Sequence, residues 1–209
     1  MPPAPGIGRG GPRVLVVLAA LVFGAGAAHA QVRFVDVSGY IGGGAQYGWI
    51  GSGTPSIDGA RGPGVQLVFG RRLRDRYPLY FDLRVGGMFM DVGPTIASAI
   101  PSDRADYAVM AAGGLWDFRS TPENRGGPWV SLHATYHNLN WRQFFYSIEG
   151  FGISPGVGAH VHIPPFGVFR VGVIANFFSA KSFDKVDASG QSLQLSVDYL
   201  YEFRPRDGK

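Results

Sequence analysis

Four of the chain's five histidines stand in two close pairs, and with their neighbours they are the residues best placed to do chemistry. His133 and His137 share one parity of a run that also carries Ser131 and Thr135, and His160 and His162 share one parity of the next run. A hydroxyl beside an imidazole is the minimal equipment for nucleophilic acyl transfer. Imidazoles at alternate positions on two antiparallel neighbours could instead gather a metal ion. If the two runs pair symmetrically about the connection Trp141 to Phe151, His133 falls opposite Ser154 to Val157 and His160 opposite about Val130. The pairs are then offset along the sheet, with at most one close cross-pair. Hydrogen bonding inside the fold is the assignment that follows, with no catalytic and no metal site expected.

The runs that hold these residues belong to a larger repeat. From Tyr40 to Phe203 a pattern of ten or so residues with alternating apolar and polar side chains recurs about eight times, each copy closed by a Gly, Pro or charged turn. In Leu79 to Met90 one parity reads Leu79, Phe81, Leu83, Val85, Gly87, Phe89, and the other carries Asp82 and Arg84. In Ser192 to Phe203, Leu193, Leu195, Val197, Tyr199, Tyr201 and Phe203 alternate with Gln194, Asp198 and Glu202. Period two at this length is the signature of a membrane-crossing strand. The other strands are expected near Gly39 to Gly48, Gly64 to Arg71, Tyr107 to Phe118, Trp129 to Asn140, Gly152 to Ile163 and Phe166 to Ala180. Eight strands close a barrel just wide enough for side chains to fill it. Gln66, Asp82, Arg84, Arg170, Gln194, Asp198 and Glu202 have the lumen's parity and are expected to form a polar network there, because confined charges must pair or keep water. Asp117 is undecided, since both parities of its run are largely apolar.

Connections give the barrel a direction. Trp49 to Pro63, Asp91 to Asp106, Trp141 to Phe151 and Lys181 to Gln191 read as long loops, while Arg72 to Pro78, Arg119 to Pro128 and Pro164-Pro165 read as shorter turns. In outer-membrane barrels long loops face outside and short turns the periplasm. Tyr40, Tyr80, Phe81, Phe118, Trp129, Phe166, Phe169, Tyr201 and Phe203 lie near the short-turn ends, and Tyr47, Trp49, Phe89, Tyr107, Trp141, Phe177 and Phe178 near the long-loop ends, so two aromatic girdles are expected. Arg33, Arg71, Arg72, Arg74, Arg76, Arg119, Arg125, Arg204, Arg206 and Lys209 gather on the short-turn side, which makes the net charge of +4 mostly a property of one rim.

The N-terminus supplies the route. Arg9 and Arg13, the apolar stretch Val14 to Gly26 and the small-x-small site Ala28-His29-Ala30 read as a cleaved signal peptide over residues 1–30, leaving a barrel domain over 31–209. Gly6, Gly8 and Gly11 match G-x-G-x-x-G, but no strand precedes them, so no dinucleotide site is expected. The chain has no cysteine, which removes disulfides and thiolate metal sites. No later stretch holds about 18 uninterrupted apolar residues, so strands alone could cross a bilayer. No cofactor is implied, and export argues against a nucleic-acid partner.

With these segments the chain resembles the small eight-stranded outer-membrane β-barrel superfamily that includes the OmpA transmembrane domain, OmpX and OmpW-like proteins. The resemblance covers nearly all of the mature chain and rests on its architecture and on generic features such as the glycine-rich Gly152 to Gly158. Val197, Tyr199, Tyr201 and Phe203 are similar to the assembly signal of such barrels, although Arg204 to Lys209 follow, which makes the signal an internal copy. The resemblance implies an all-β, antiparallel, monomeric barrel in the outer membrane of a Gram-negative cell envelope. Its partners would be outer-membrane lipids, lipopolysaccharide and the barrel assembly machinery. A structural or surface-interaction role through the outer loops is the leading expectation, and a narrow channel or carrier for small apolar compounds is the alternative. A lipid A acyl hydrolase or transferase is less favoured, since His133 is followed by Ala134-Thr135-Tyr136-His137 instead of the His-x-Ser-x-x-Gly type of pattern expected of lipid A deacylases. A soluble lipocalin-like barrel would place apolar residues inside and polar ones outside, the reverse of the strand faces above.

Overall fold

The computed structural model describes residues 37–52, 59–73, 77–92, 103–119, 126–141, 146–182 and 187–203. The expected signal peptide, Arg33, Arg74, Arg76, Arg125 and the segment after Phe203 lie outside the described residues. The strands are β1 (Gly39–Ser52), β2 (Arg61–Arg72), β3 (Leu79–Val92), β4 (Asp103–Asp117), β5 (Gly127–Trp141), β6 (Tyr146–Ile163), β7 (Gly167–Ser182) and β8 (Asp187–Phe203). Each pairs antiparallel with the next, and β8 pairs with β1 to close the barrel.

Closure carries a stagger. Following partners around the wall, Ile41 leads to Phe69, Leu83, Ala112, Ala134, Ile153, Phe177 and Gln191, and returns to β1 at Gly51, ten residues beyond the start. A stagger of this size goes with a strand tilt of roughly 40° and an interior of side-chain width. The end at which β1 begins and β8 finishes is called the lower end below.

Period two decides which face each residue takes. Outward lie Val65, Leu67, Phe69, Val85, Met110, Leu132, Ile153, Val173, Leu195 and Val197, forming a wide apolar belt that leaves Leu67 70% exposed. Inward lie the buried Gln66, Asp82, Arg84, Ser131, His133, Arg170, Gln194 and Asp198. This is apolar outside and polar inside, which argues against a lipocalin-like interior.

The strands run further than the alternation predicts, and nearly all of the excess is at the upper end. There β6 begins at Tyr146 where Gly152 is expected, β8 at Asp187 where Ser192 is expected, and β1 continues to Ser52. The physical reason is that the two faces exchange chemistry. Asp91, Arg104, Asn140 and Glu149 point outward there, while Ile50, Met90, Leu139 and Ile148 are buried inside. A run with polar residues on the membrane face reads as a loop, yet its backbone continues the ladder. The connections left are 53–60, 93–102, 142–145 and 183–186 above, and 73–78, 118–126 and 164–166 below. Their lengths no longer alternate cleanly, since 118–126 is longer than 142–145.

Candidate functional site

The lumen is built in layers. At its lower end Arg119, just past β4, turns inward and is buried, with its guanidinium on Asp117 at 2.5–3.0 Å and also on Glu202 of β8. The ring of His160 lies 3.5 Å from the same Asp117 carboxylate. Asp117 therefore takes the inward face, and Arg119 is an internal clasp and not the rim cation its sequence position suggests. Tyr80 caps this layer by donating to the carbonyl of Val37 at 2.9 Å.

Above it sits an ion cluster centred on Asp82. Its carboxylate accepts from Arg84 at 2.7 Å, Arg170 at 2.9 Å, His133 at 2.9 Å and the Tyr40 hydroxyl. Asp198 accepts from Gln66 at 2.6 Å and from Arg170 at 3.2 Å. Two arginines thus face two aspartates, and every acid has a cation beside it. The guanidinium of Arg170 also lies over the rings of Tyr40 and Trp129, and that of Arg84 over Trp129. Breaking such a buried group by removing one partner costs about 3–5 kcal/mol.

Glycines make room for these rings. A Cβ on Gly70, directly opposite Tyr40, would sit 2.1 Å from its ring, and one on Gly172 would sit 2.2 Å from the ring of Trp129. The girdles expected from sequence are corrected accordingly. Tyr40, Tyr80, Trp129, Tyr107 and Phe178 are buried in the lumen, because they share parity with the polar interior. Phe81, Phe118, Phe166, Tyr201 and Phe203 remain outside near the lower end, and Tyr47, Trp49, Phe89 and Phe177 near the upper end. Phe169 packs edge-on against Tyr199, and the side chain of Trp141 is outside the description.

The middle layer is neutral and polar. Gln46, Gln66, Ser154, Asn176 and Gln194 surround a cavity of about 10 Å³, room for about one water molecule. Asn176 donates to Ser192 at 2.8 Å, and Ser154 donates to Asn176. Above this comes His137, with Nδ1 2.6 Å from the Tyr107 hydroxyl, Nε2 2.7 Å from Thr135 Oγ1, and Phe178 stacked on its ring at 4.6 Å. Ile50, Met88, Met90, Val109, Leu139, Ile148 and Phe178 fill the remainder with apolar side chains.

Three of the four histidines separate into three of these layers, and His162, opposite Val168, is only partly buried. His133 lies opposite Ser154, as expected, whereas His160 lies opposite Gly127, three residues from the expected Val130. His133 joins Asp82, His160 joins Asp117, and His137 joins Tyr107 and Thr135. Among the described residues no group of three His, Cys, Asp or Glu side chains converges as metal ligands would. All seven residues of the expected polar network are inward-facing, but Glu202 belongs to the lower clasp, apart from the Asp82 cluster. The lumen residues that sequence reasoning missed are Arg119, Tyr40 and Asn176. The signal for Tyr40 was present in the glycine opposite it.

A closed eight-stranded antiparallel barrel, apolar outside and filled with charge inside, is the fold of the small outer-membrane β-barrels. Two solved structures carry the comparison. Neisserial surface protein A superposes with a TM-score of 0.61 at 15% identity, covering 81% of this chain and 99% of that one. The outer membrane protein OprG from Pseudomonas aeruginosa superposes with a TM-score of 0.57 at 10% identity, covering 84% of this chain and 100% of that one. At these identities the likeness is one of fold. No family model matches the chain, and no curated protein sequence matches it.

Proposed function

We propose that the chain is an integral outer-membrane barrel with a closed lumen, acting through its upper end on envelope or external partners and not as a general pore. The observation that supports this reading is the filled interior: an ionic clasp, a paired ion cluster, a polar layer and an apolar layer succeed one another, and the cavity between them is about 10 Å³. Among the described residues, side chains so arranged leave no continuous water column. The apolar belt and the two outer aromatic rings support membrane insertion. The test is conductance in planar bilayers. The unmodified protein is expected to give no large, stable current, and replacing Asp82, Arg84 and Arg170 together by Gly is expected to introduce leak. Large open-state currents from the unmodified barrel would sink the closed-lumen reading.

Insertion has its own checks. Heat-dependent mobility in detergent gels and resistance to carbonate extraction are the expected behaviour, with a mature N-terminus at Gln31. Val197, Tyr199, Tyr201 and Phe203 all point outward on β8, where the assembly machinery has access to them before insertion.

A second reading, a carrier for small apolar compounds, is favoured by one observation: the upper lumen is apolar, with Met88, Met90 and Phe178 at its centre. Release of an apolar fluorescent probe from loaded vesicles, faster with the barrel than without it, would support this reading over the first. Acyl transfer has no comparable support, because Ser131, His133, Thr135 and His137 are all buried in the packed wall of the lumen.

A further inference from the structure

The outer face of β2 carries an arginine at each end. Arg61 opens the strand at its upper end, Arg71 stands ten residues further on near the lower end, and both side chains are exposed. The outward residues between them, Pro63, Val65, Leu67 and Phe69, carry no charge. At about 3.3 Å per residue and a tilt of roughly 40°, ten residues rise roughly 25 Å along the barrel axis. That matches the apolar band of an outer-membrane barrel, about 25 Å tall. On the membrane reading above, on which this inference rests, the two arginines reach the two headgroup layers, one each.

Their surroundings differ. Arg61 stands directly opposite Asp91 on β3. Arg71 stands opposite Gly39 on β1 and Phe81 on β3, with Phe69 two residues above it on the same face and Phe203 next in the row beyond Gly39. No carboxylate shares this part of the face. Among the described residues Arg71 is the one outward-pointing charged side chain below the upper end, and it makes no hydrogen bond or ion pair with any of them. A cation on the lipid face is tolerated only close to an interface. Set among exposed aromatic rings with no acid beside it, this one has its counter-ion outside the protein.

We propose that Arg71 seats the phosphate of an anionic phospholipid in the leaflet at the lower end. The guanidinium donates two parallel hydrogen bonds to the phosphodiester oxygens, the charge-assisted pairing that its planar fork favours. Phe69 and Phe81, each 41% exposed, lie against the first carbons of the acyl chains. An ethanolamine or choline cation would find no carboxylate here, whereas a headgroup of net negative charge keeps its attraction to Arg71 undivided.

Native mass spectrometry tests it, with the mature barrel in a non-ionic detergent offered equal amounts of phosphatidylglycerol, phosphatidylethanolamine and phosphatidylcholine of identical chains. Phosphatidylglycerol should be retained about fivefold over either competitor, the order expected of one arginine at an anionic surface. Arg71→Gln should erase that margin, Arg71→Lys should keep part of it, and Arg61→Gln should leave it in place. Equal retention of the three lipids by the unmodified barrel overturns the proposal, as does a preference that survives in Arg71→Gln or vanishes in Arg61→Gln. Heat-dependent gel mobility of each sample shows that it is folded. A chain that stays soluble and folded without detergent sinks the membrane reading itself, independently of which lipid is retained.

Discussion

Along β3 the same two faces exchange roles partway up the strand. In its lower two thirds Phe81, Leu83 and Val85 point out while Asp82 and Arg84 point in; near its upper end Met88 and Met90 point in while Asp91 points out. β5 and β6 do the same, with Leu132 and Ile153 outside against His133 and Ser154 inside, then Asn140 and Glu149 outside against Leu139 and Ile148 inside. The lower region is organised for an apolar surrounding and a polar interior, and the upper collar for water outside and a dry interior. A continuous ladder thus carries two kinds of barrel stacked end to end, and the level of exchange marks where the apolar solvent stops.

The sharpest way to break this comparison is inside the lower region. Arg170→Ala leaves Asp82 and Asp198 short of a buried partner and should destabilise the barrel by about 3–5 kcal/mol in urea unfolding from lipid vesicles. A loss under about 1 kcal/mol would mean that water already satisfies the cluster. Next comes the outer face. Leu195→Arg should cost about 2–4 kcal/mol if it lies near the midplane, whereas Asn140→Arg in the collar should stay within about 0.5 kcal/mol. Equal costs at the two sites would erase the boundary between the regions.

Inside the collar the expectation reverses. Met90→Gln puts an amide among Ile50, Leu139 and Ile148 and should cost about 1–3 kcal/mol, although a polar residue at an inward position is the rule lower down. The smallest effect sharpens the border itself. His137→Phe keeps the stack on Phe178 and removes the bonds to Tyr107 and Thr135, so a change of about 1 kcal/mol is expected, read by the same unfolding assay.

Strand number, closure and the facing of Asp82, Arg84, Arg170 and Asp198 were legible because period two persists through the length of each run that carries the outer apolar belt. The collar was not, because Asp91, Arg104 and Glu149 put charge on the face that had been apolar, and the change of sign looks like the end of a strand. Trp129 and Tyr40 were misplaced in the girdles because aromatic rings suit both the headgroup region and a lumen emptied by glycine. Their partners across the ladder, Gly158 and Gly70, hold the missing information, but register is needed to read it. Arg119 continues the inward parity of Leu115 and Asp117 beyond the end of β4, and it reads as a rim residue because both parities of that run are largely apolar and its strand reads as ending at Phe118.

The lower clasp has a consequence for timing. Arg119 comes from the middle of the chain and Glu202 from almost the last residue of β8, the strand whose pairing with β1 closes the wall. The two meet across the lumen only once β8 has joined β1 at the lower end, so this contact depends on closure of the wall. A chain stalled with its seam open would present Glu202 to solvent, and the burial of that carboxylate would report completion.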